Sequence, residues 1–263
     1  MLVGDFMKVL CIGDVVAGVG CRFLRDKLPA LKRNLGIDIV ICNGENSADG
    51  NGVHPTSADF LFQSGVDVIT LGNHAFRRRE IYQYLDDNEF IVRPVNYPVG
   101  TTPGRGVCVL DCVRYKVAII NAMGNMYSAA SLDCPFRTLD SIIKELDTNI
   151  IIVDFHAEAT SEKRSMGFYL DGRVSAVFGT HTHVRTADCQ ILPKGTGYIT
   201  DVGMTGPKHS VLGVNPEITI ESFRTKMPVR FEPLQGECTM DCVLFEIDEK
   251  TGRTISAESF TVE

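Results

Sequence analysis

Five apolar runs, residues 8–13, 38–43, 67–71, 149–155 and 174–178, each stop at polar residues of one chemical kind. The runs are short, rich in Val and Ile, and bounded by glycine or charged residues, which is the pattern of buried strands. The polar residues at their ends are Asp14, Glu45-Asn46, Asn73-His74, His156 and His181-Thr182-His183. Amphipathic stretches separate the first three runs and follow the third. One reaches Gly36 as its stop, with Pro29 breaking or kinking it; the others span 56–64 and 78–86. This alternation predicts a parallel sheet with right-handed crossovers. In such sheets ligands bind beyond the carboxyl ends of the strands, so Asp14, Glu45 and Asn73 face one crevice. The adjacent glycines are expected to turn the backbone and leave room.

The second half reads differently. Residues 107–110 and 116–121 form a hairpin around Arg114, and 138–146 is helical. The apolar run 149–155 leads to His156, and Thr160 or Ser161 is expected to cap a helix reaching Leu170, with Glu162 in its first turn. Segments 189–192, 197–202, 229–233, 240–247 and 254–262 read as strands, and 217–225 as a helix. The sum is an α/β protein with mixed sheets flanked by helices, a four-layer αββα sandwich; a plain doubly wound fold is the alternative.

No repeat, low-complexity run or Pro/Gly/Ser-rich linker divides the 263 residues, so 1–263 reads as a single domain. Residues 1–6 read as an N-terminal extension ahead of Met7; with no basic n-region or cleavage site they are not a signal peptide. No stretch is long and apolar enough for a membrane span. The net charge of −7 argues against a broad surface for extended nucleic acid but leaves room for a small anionic substrate. The nine cysteines lack Cys-x-x-Cys spacing, and several lie inside strand-like runs. They read as reduced, buried thiols of a cytoplasmic protein, with Cys108/Cys112 and Cys238/Cys242 as core packing.

Taken singly, each strand-end residue has a plainer role. Asp14 could cap a helix, Asn46 and Asn73 could sit in turns, His74 and His156 could be core histidines, and His181 and His183 could be solvated. Their joint occurrence at five strand ends argues for a site. The set is all oxygen and nitrogen, which suits manganese, iron or zinc in five- or six-coordinate geometry rather than a closed structural zinc. It offers more ligands than one ion takes, and Glu45 is the natural bridge. Two metals roughly 4 Å apart clamp the attacking and leaving oxygens of a phosphoryl displacement, and lower the pKa of a bound water to about 7. His74 is then left to protonate the leaving oxygen.

Gly13-Asp14, Gly44-Glu45-Asn46, Gly72-Asn73-His74, the segment from Asp154 to Glu158 and Gly179-Thr180-His181-Thr182-His183 resemble the calcineurin-like metallophosphoesterases. More narrowly the chain resembles their bacterial YmdB-type branch, in which Glu takes the bridging position and Asn replaces the usual neighbouring His. The segments 159–163, 201–207 and 230–232 fit that branch as well. The resemblance implies one metal held by Asp14, Glu45, Asn46 and His183, and a second held by Glu45, Asn73, His156 and His181. His74 would be the catalytic acid. It further implies two ions (iron or manganese, with zinc as a third candidate), homo-oligomers, a cytoplasmic role in RNA turnover or developmental regulation, and hydrolysis of 2′,3′-cyclic nucleotides. Two departures touch the pocket wall. Phe76-Arg77 stands where the branch has Trp-Asp, and Asn125 where it tends to have Arg. Arg77 either supplies positive charge near the phosphate or lies on a solvated face.

Three functions follow: a dinuclear phosphodiesterase for small cyclic nucleotides, a nuclease or phosphomonoesterase at the same site, and a regulator whose metals are structural. The lack of a basic, aromatic-interleaved stripe disfavours extended nucleic acid.

Overall fold

The computed structural model describes residues 6–128 and 130–263. The chain opens with β1 (Phe6–Ile12), whose side chains alternate. Met7, Val9 and Cys11 face one core, while Leu10 and Ile12 face another. The elements β2 (Asp14–Val15), α1 (Ala17–Leu35), β3 (Ile39–Asn43), α2 (Pro55–Gln63), β4 (Val68–Thr70), α3 (Ile81–Asp87) and β5 (Ile91–Val92) follow. Strands β1, β3, β4 and β5 lie side by side and parallel, as the strand–helix alternation requires. Gly36 ends α1 at φ 65°, donating its N–H to the carbonyl of Lys32. Pro29 does not break α1: it sits on the exposed side, where water can take up the carbonyl it leaves unpaired.

A second sheet holds β6 (Val107–Asp111), β7 (Lys116–Met123), β8 (Ile150–His156), β9 (Ala176–Thr180), β10 (Gln190–Ile191) and β11 (Gly197–Ile199), in the order β10-β11-β9-β8-β7-β6. The helices α4 (Pro135–Glu145) and α5 (Thr160–Leu170) belong to this half. The chain then returns to the first sheet through β12 (Met204–Pro207), α6 (Pro216–Thr225), β13 (Cys238–Asp248) and β14 (Thr254–Val262). β13 runs antiparallel to β1, so that sheet is mixed.

Three cores stack between the layers. The first joins α1, α2 and α3 to one face of the first sheet through Leu24, Leu28, Leu61 and Leu85. The second lies between the sheets and includes Val9, Ile41, Ile119, Ile152 and Phe178. The third packs Leu139 of α4 and Met166 and Leu170 of α5 on the outer face of the second sheet. This is the four-layer αββα sandwich of the metallophosphoesterase type.

Several expectations are corrected. Residues 229–233 form no strand; Pro233 makes only an isolated bridge to Val214, since Pro228 and Pro233 cannot donate to a ladder. α3 starts at Ile81 rather than at residue 78, because the residues before it bond as tight turns, Ile81 N–H to the Arg78 carbonyl and Tyr82 N–H to the Arg79 carbonyl. Neither Thr160 nor Ser161 caps α5: Thr160 is already its first residue, Ala159 is the cap, and no side chain bonds there. Phe6, placed above in an extension, is the first residue of β1 and pairs with Asp248; residues 1–5 lie outside the described residues. Among the described residues no helix is long and apolar enough to cross a membrane. All nine cysteines are unpaired; six are buried, while Cys112, Cys134 and Cys189 are only partly so.

Candidate active site and metal centre

The rows of side chains that fill the inter-sheet core turn polar at their carboxyl ends. On β3 the inward row runs Ile39, Ile41, Asn43; on β8 it runs Ile150, Ile152, Asp154, His156; on β9 it runs Ala176, Phe178, Thr180. Strand periodicity thus carries Asn43, Asp154, His156 and Thr180 to one buried place. Asn43 Nδ2 lies 3.3 Å from Asp154 Oδ2 and 3.4 Å from His156 Nδ1. The Thr180 hydroxyl is 2.7 Å from Asp154 Oδ1 and 2.9 Å from His156 Nδ1, and the Thr70 hydroxyl also donates to Asp154. Burial pushes the Asp154 carboxyl up to about 7. These contacts fix the His156 ring from behind and leave Nε2 facing the crevice.

Around His156 Nε2 three atoms crowd: Asn73 Oδ1 at 2.8 Å, His181 Nδ1 at 3.0 Å and Glu45 Oε1 at 3.1 Å. One ring N–H can serve one of them in line; the rest are lone pairs aimed at the same volume. Glu45, His156 and His181 present ligand atoms all within 4.8 Å of one another. An oxygen–nitrogen set of this density fits a divalent cation of the manganese, iron or zinc type. Gly72 makes room for the His156 ring: a Cβ there would fall 2.3 Å from it. Gly13, Gly44 and Gly72 do not carry left-handed torsions, so their use is close approach rather than the sharp turn expected of them. Among the strand-end residues of the site, His181 at φ 102° and His183 at φ 61° carry positive torsions.

That bend separates the two histidines. His181 joins the cluster above, and Glu158 Oε2 holds its Nε2 at 3.0 Å. His183 Nε2 turns to Asn46 Nδ2 at 3.2 Å and Asp14 Oδ1 at 3.6 Å, with Nδ1 on the Leu212 carbonyl at 3.2 Å. Asp14 is fully buried and also accepts the backbone N–H of His181 at 3.0 Å. His74 sits beside both groups: its backbone N–H donates to Glu45 Oε2 at 2.8 Å, and its Nδ1 meets Asn46 Oδ1 at 2.8 Å. The structure thus brings Asp14, Glu45, Asn46, Asn73, His74, His156, His181 and His183 into one contact network.

The electrostatics are those of paired opposite charges in a dry place. Burial alone would raise the Glu45 and Asp14 carboxyls, yet His156 and His183 hold them below their ordinary values. Burial would lower His156 and His183, yet Glu45 and Asp14 hold them up, His156 at about 9. Burial does lower His74 and His181.

Strained left-handed backbone persists only where its surroundings enforce it. Here the enforcing pair is Lys163 and Asp201, each 1% exposed and 2.6 Å apart. Lys163 Nζ donates to the Thr180 carbonyl at 2.7 Å, and Asp201 Oδ2 accepts the Thr182 N–H at 3.0 Å. Residue-by-residue reading did not single these out, although Asp201 follows β11 just as the other site residues follow their strands.

The two departures lie at the cavity beside the cluster. Phe76 packs edge-on against Tyr97, with ring centroids 5.1 Å apart, and Arg77 lines the cavity. Asn125 donates its N–H to Glu162 Oε1 at 2.9 Å and its amide to the carbonyls of Leu132 and Asp133.

Comparison with known proteins places these features. The family model described as YmdB-like protein matches residues 10–260. A Bacillus subtilis (strain 168) protein named 2′,3′-cyclic-nucleotide 2′-phosphodiesterase is 45% identical over 258 residues, 97% of each chain. A crystal structure of a hypothetical protein from Thermus thermophilus superposes with TM-score 0.92 at 42% identity, covering 98% of this chain and 99% of that one. Another, described as a novel phosphatase from Mycoplasma pneumoniae, superposes with TM-score 0.94 at 35% identity, covering 99% and 94%. With matches this extensive in sequence and architecture, the chain belongs to the YmdB-like protein family.

Proposed function

We propose that this chain is a dinuclear metal-dependent phosphodiesterase of small phosphodiesters, 2′,3′-cyclic nucleotides above all, built as a single domain. The observation that carries the reading is the convergence of Glu45, Asn73 and His181 on His156 Nε2 at the mouth of the inter-sheet core. Asp14, Asn46 and His183 would hold one ion and Asn73, His156 and His181 the other, with Glu45 contributing to both. Iron or manganese is the preferred occupant. Metal ions bound there supply Lewis-acid activation of the phosphate and of a water.

The chain's own part is positional and protonic. Asn46 Oδ1 engages His74 Nδ1, which leaves Nε2 as the ring nitrogen for substrate. In its doubly protonated form His74 donates its Nδ1 proton to Asn46 Oδ1 and passes its Nε2 proton to the ribose oxygen as that oxygen leaves phosphorus, ending as the neutral ring protonated at Nδ1. Asn43 and Thr180 keep His156 in register, and Glu158 does so for His181. The unpaired thiols support a reducing, cytoplasmic setting, and the chain is read as a homo-oligomer.

The test is turnover of bis(p-nitrophenyl) phosphate and 2′,3′-cAMP by metal-stripped protein, with Mn²⁺ or Fe²⁺ restored, beside His74→Ala. Turnover that needs metal and falls by about 10²–10⁴-fold in the variant is expected. Metal-independent turnover, or full activity in His74→Ala, refutes the reading.

A further inference from the structure

Next to the cluster lies a cavity of about 270 Å³ whose inner wall is Asn73, His156 and His181. Its other walls are of a different chemistry: Tyr97, Met123, Met126 and Tyr127, with Arg77 at one side. Tyr127 is 83% exposed and Met126 45% exposed, so both are accessible to a ligand entering the cavity they line. The segment carrying them is nevertheless held in place. Both carboxylate oxygens of Glu162 are spent on it, Oε1 on the Asn125 N–H at 2.9 Å and Oε2 on the Met126 N–H at 3.1 Å. Asn125 Nδ2 ties the same turn to the carbonyls of Leu132 and Asp133 at 3.2 and 3.3 Å. Tyr127 itself is in a left-handed conformation, φ 61°, which a bulky residue adopts only when it is enforced. Tyr97 is braced from behind by Phe76, which in turn packs edge-on against Tyr82 with centroids 5.7 Å apart.

An aromatic and thioether lining beside a phosphoryl site suits a planar heteroaromatic ring, since every base offers a π-face and methionine adapts to its edge. We propose that this cavity is the nucleobase subsite of the enzyme, with Tyr127 as the specificity-determining contact and Glu162 as its positioning residue. The inference rests on the phosphodiesterase reading given above. It assigns a role to Glu162: the start of α5 places this residue under the base-binding turn, while the next residue, Lys163, holds the histidine turn.

The chain has no tryptophan, so Tyr127→Trp places a single tryptophan, selectively excited over the tyrosines at long wavelength, at the cavity. Adenosine 2′-monophosphate is expected to quench it saturably, and glycerol 2-phosphate is not. In parallel, the ratio of kcat/KM for 2′,3′-cAMP to that for glycerol 1,2-cyclic phosphate should fall about ten-fold or more in Tyr127→Ala. Tyr127→Phe, which keeps the ring, should hold the wild-type ratio. An unchanged ratio in Tyr127→Ala, or equal quenching by the two monophosphates, overturns the proposal. If wild-type protein hydrolyses neither diester, the phosphodiesterase reading falls, and the fluorescence titration still decides whether a base binds here.

Discussion

Lys163→Met is the most informative single perturbation of the scaffold. The substitution keeps a long unbranched stem and removes the ammonium that contacts Asp201 Oδ2 at 2.6 Å and the Thr180 carbonyl at 2.7 Å. Were the pair exposed, the loss would be about 0–1 kcal/mol. Both partners are 1% exposed, however, so the variant leaves an uncompensated buried carboxylate, at a cost of about 3–5 kcal/mol. For a chain of this size each kcal/mol shifts Tm by about 2–4 °C, so a fall of about 6–20 °C is expected. Thermal unfolding of metal-stripped protein, followed by circular dichroism, measures that fall, and urea unfolding gives the free-energy loss. Because the penalty is the orphaned charge, Asp201→Asn in the same chain should return more than about 1 kcal/mol, a clear departure from additivity. Recovery is partial, since Asp201 also accepts the N–H groups of Thr182 and Gly203 on separate oxygens. The reasoning is refuted if Lys163→Met costs less than about 1 kcal/mol, or if the two substitutions add.

Gly72→Ala should disturb the site more than the fold. The new methyl would lie 2.3 Å from the His156 ring, and overpacking of this kind costs about 1–3 kcal/mol. Calorimetric titration should show Mn²⁺ affinity reduced at least ten-fold, and unaltered affinity would show that the ring has slack. Asp188 tests acid stability away from the site. Burial would raise its carboxyl, but the hydroxyls of Thr200 and Thr186 hold it below the ordinary value, so its contribution is complete above pH about 4 and is lost as pH falls through the depressed folded value. Asp188→Asn should therefore lower the urea midpoint at pH 7 and converge on wild type under strongly acidic conditions; a gap that persists or widens there contradicts the assignment.

Much of this molecule was legible in the order of its residues. Short continuous apolar runs identified β1, β3, β4, β8 and β9, and the polar residues that ended them identified Asp14, Glu45, Asn73, His156 and His181 as neighbours. Such inference works because a strand's exit point and its facing side chains are local properties. Short or non-local elements were not legible. β2, β5 and β12 have two to four residues each and exist only because a neighbour pairs with them. Residues 229–233 had strand composition but no partner ladder.

Tertiary structure alone decided the rest. Whether His181 and His183 act together or apart depends on two left-handed torsions, enforced by Lys163 and Asp201, which stand 17 and 19 residues along the chain from their partners Thr180 and Thr182. Whether Glu162 merely sits in the first turn of a helix or also clamps the Asn125–Met126 turn depends on which loop lies over α5, and helix propensity is silent on that. The chain's local chemistry named the polar residues that end the strands; the packing of the two sheets aimed them at one volume and set the aromatic wall beside it.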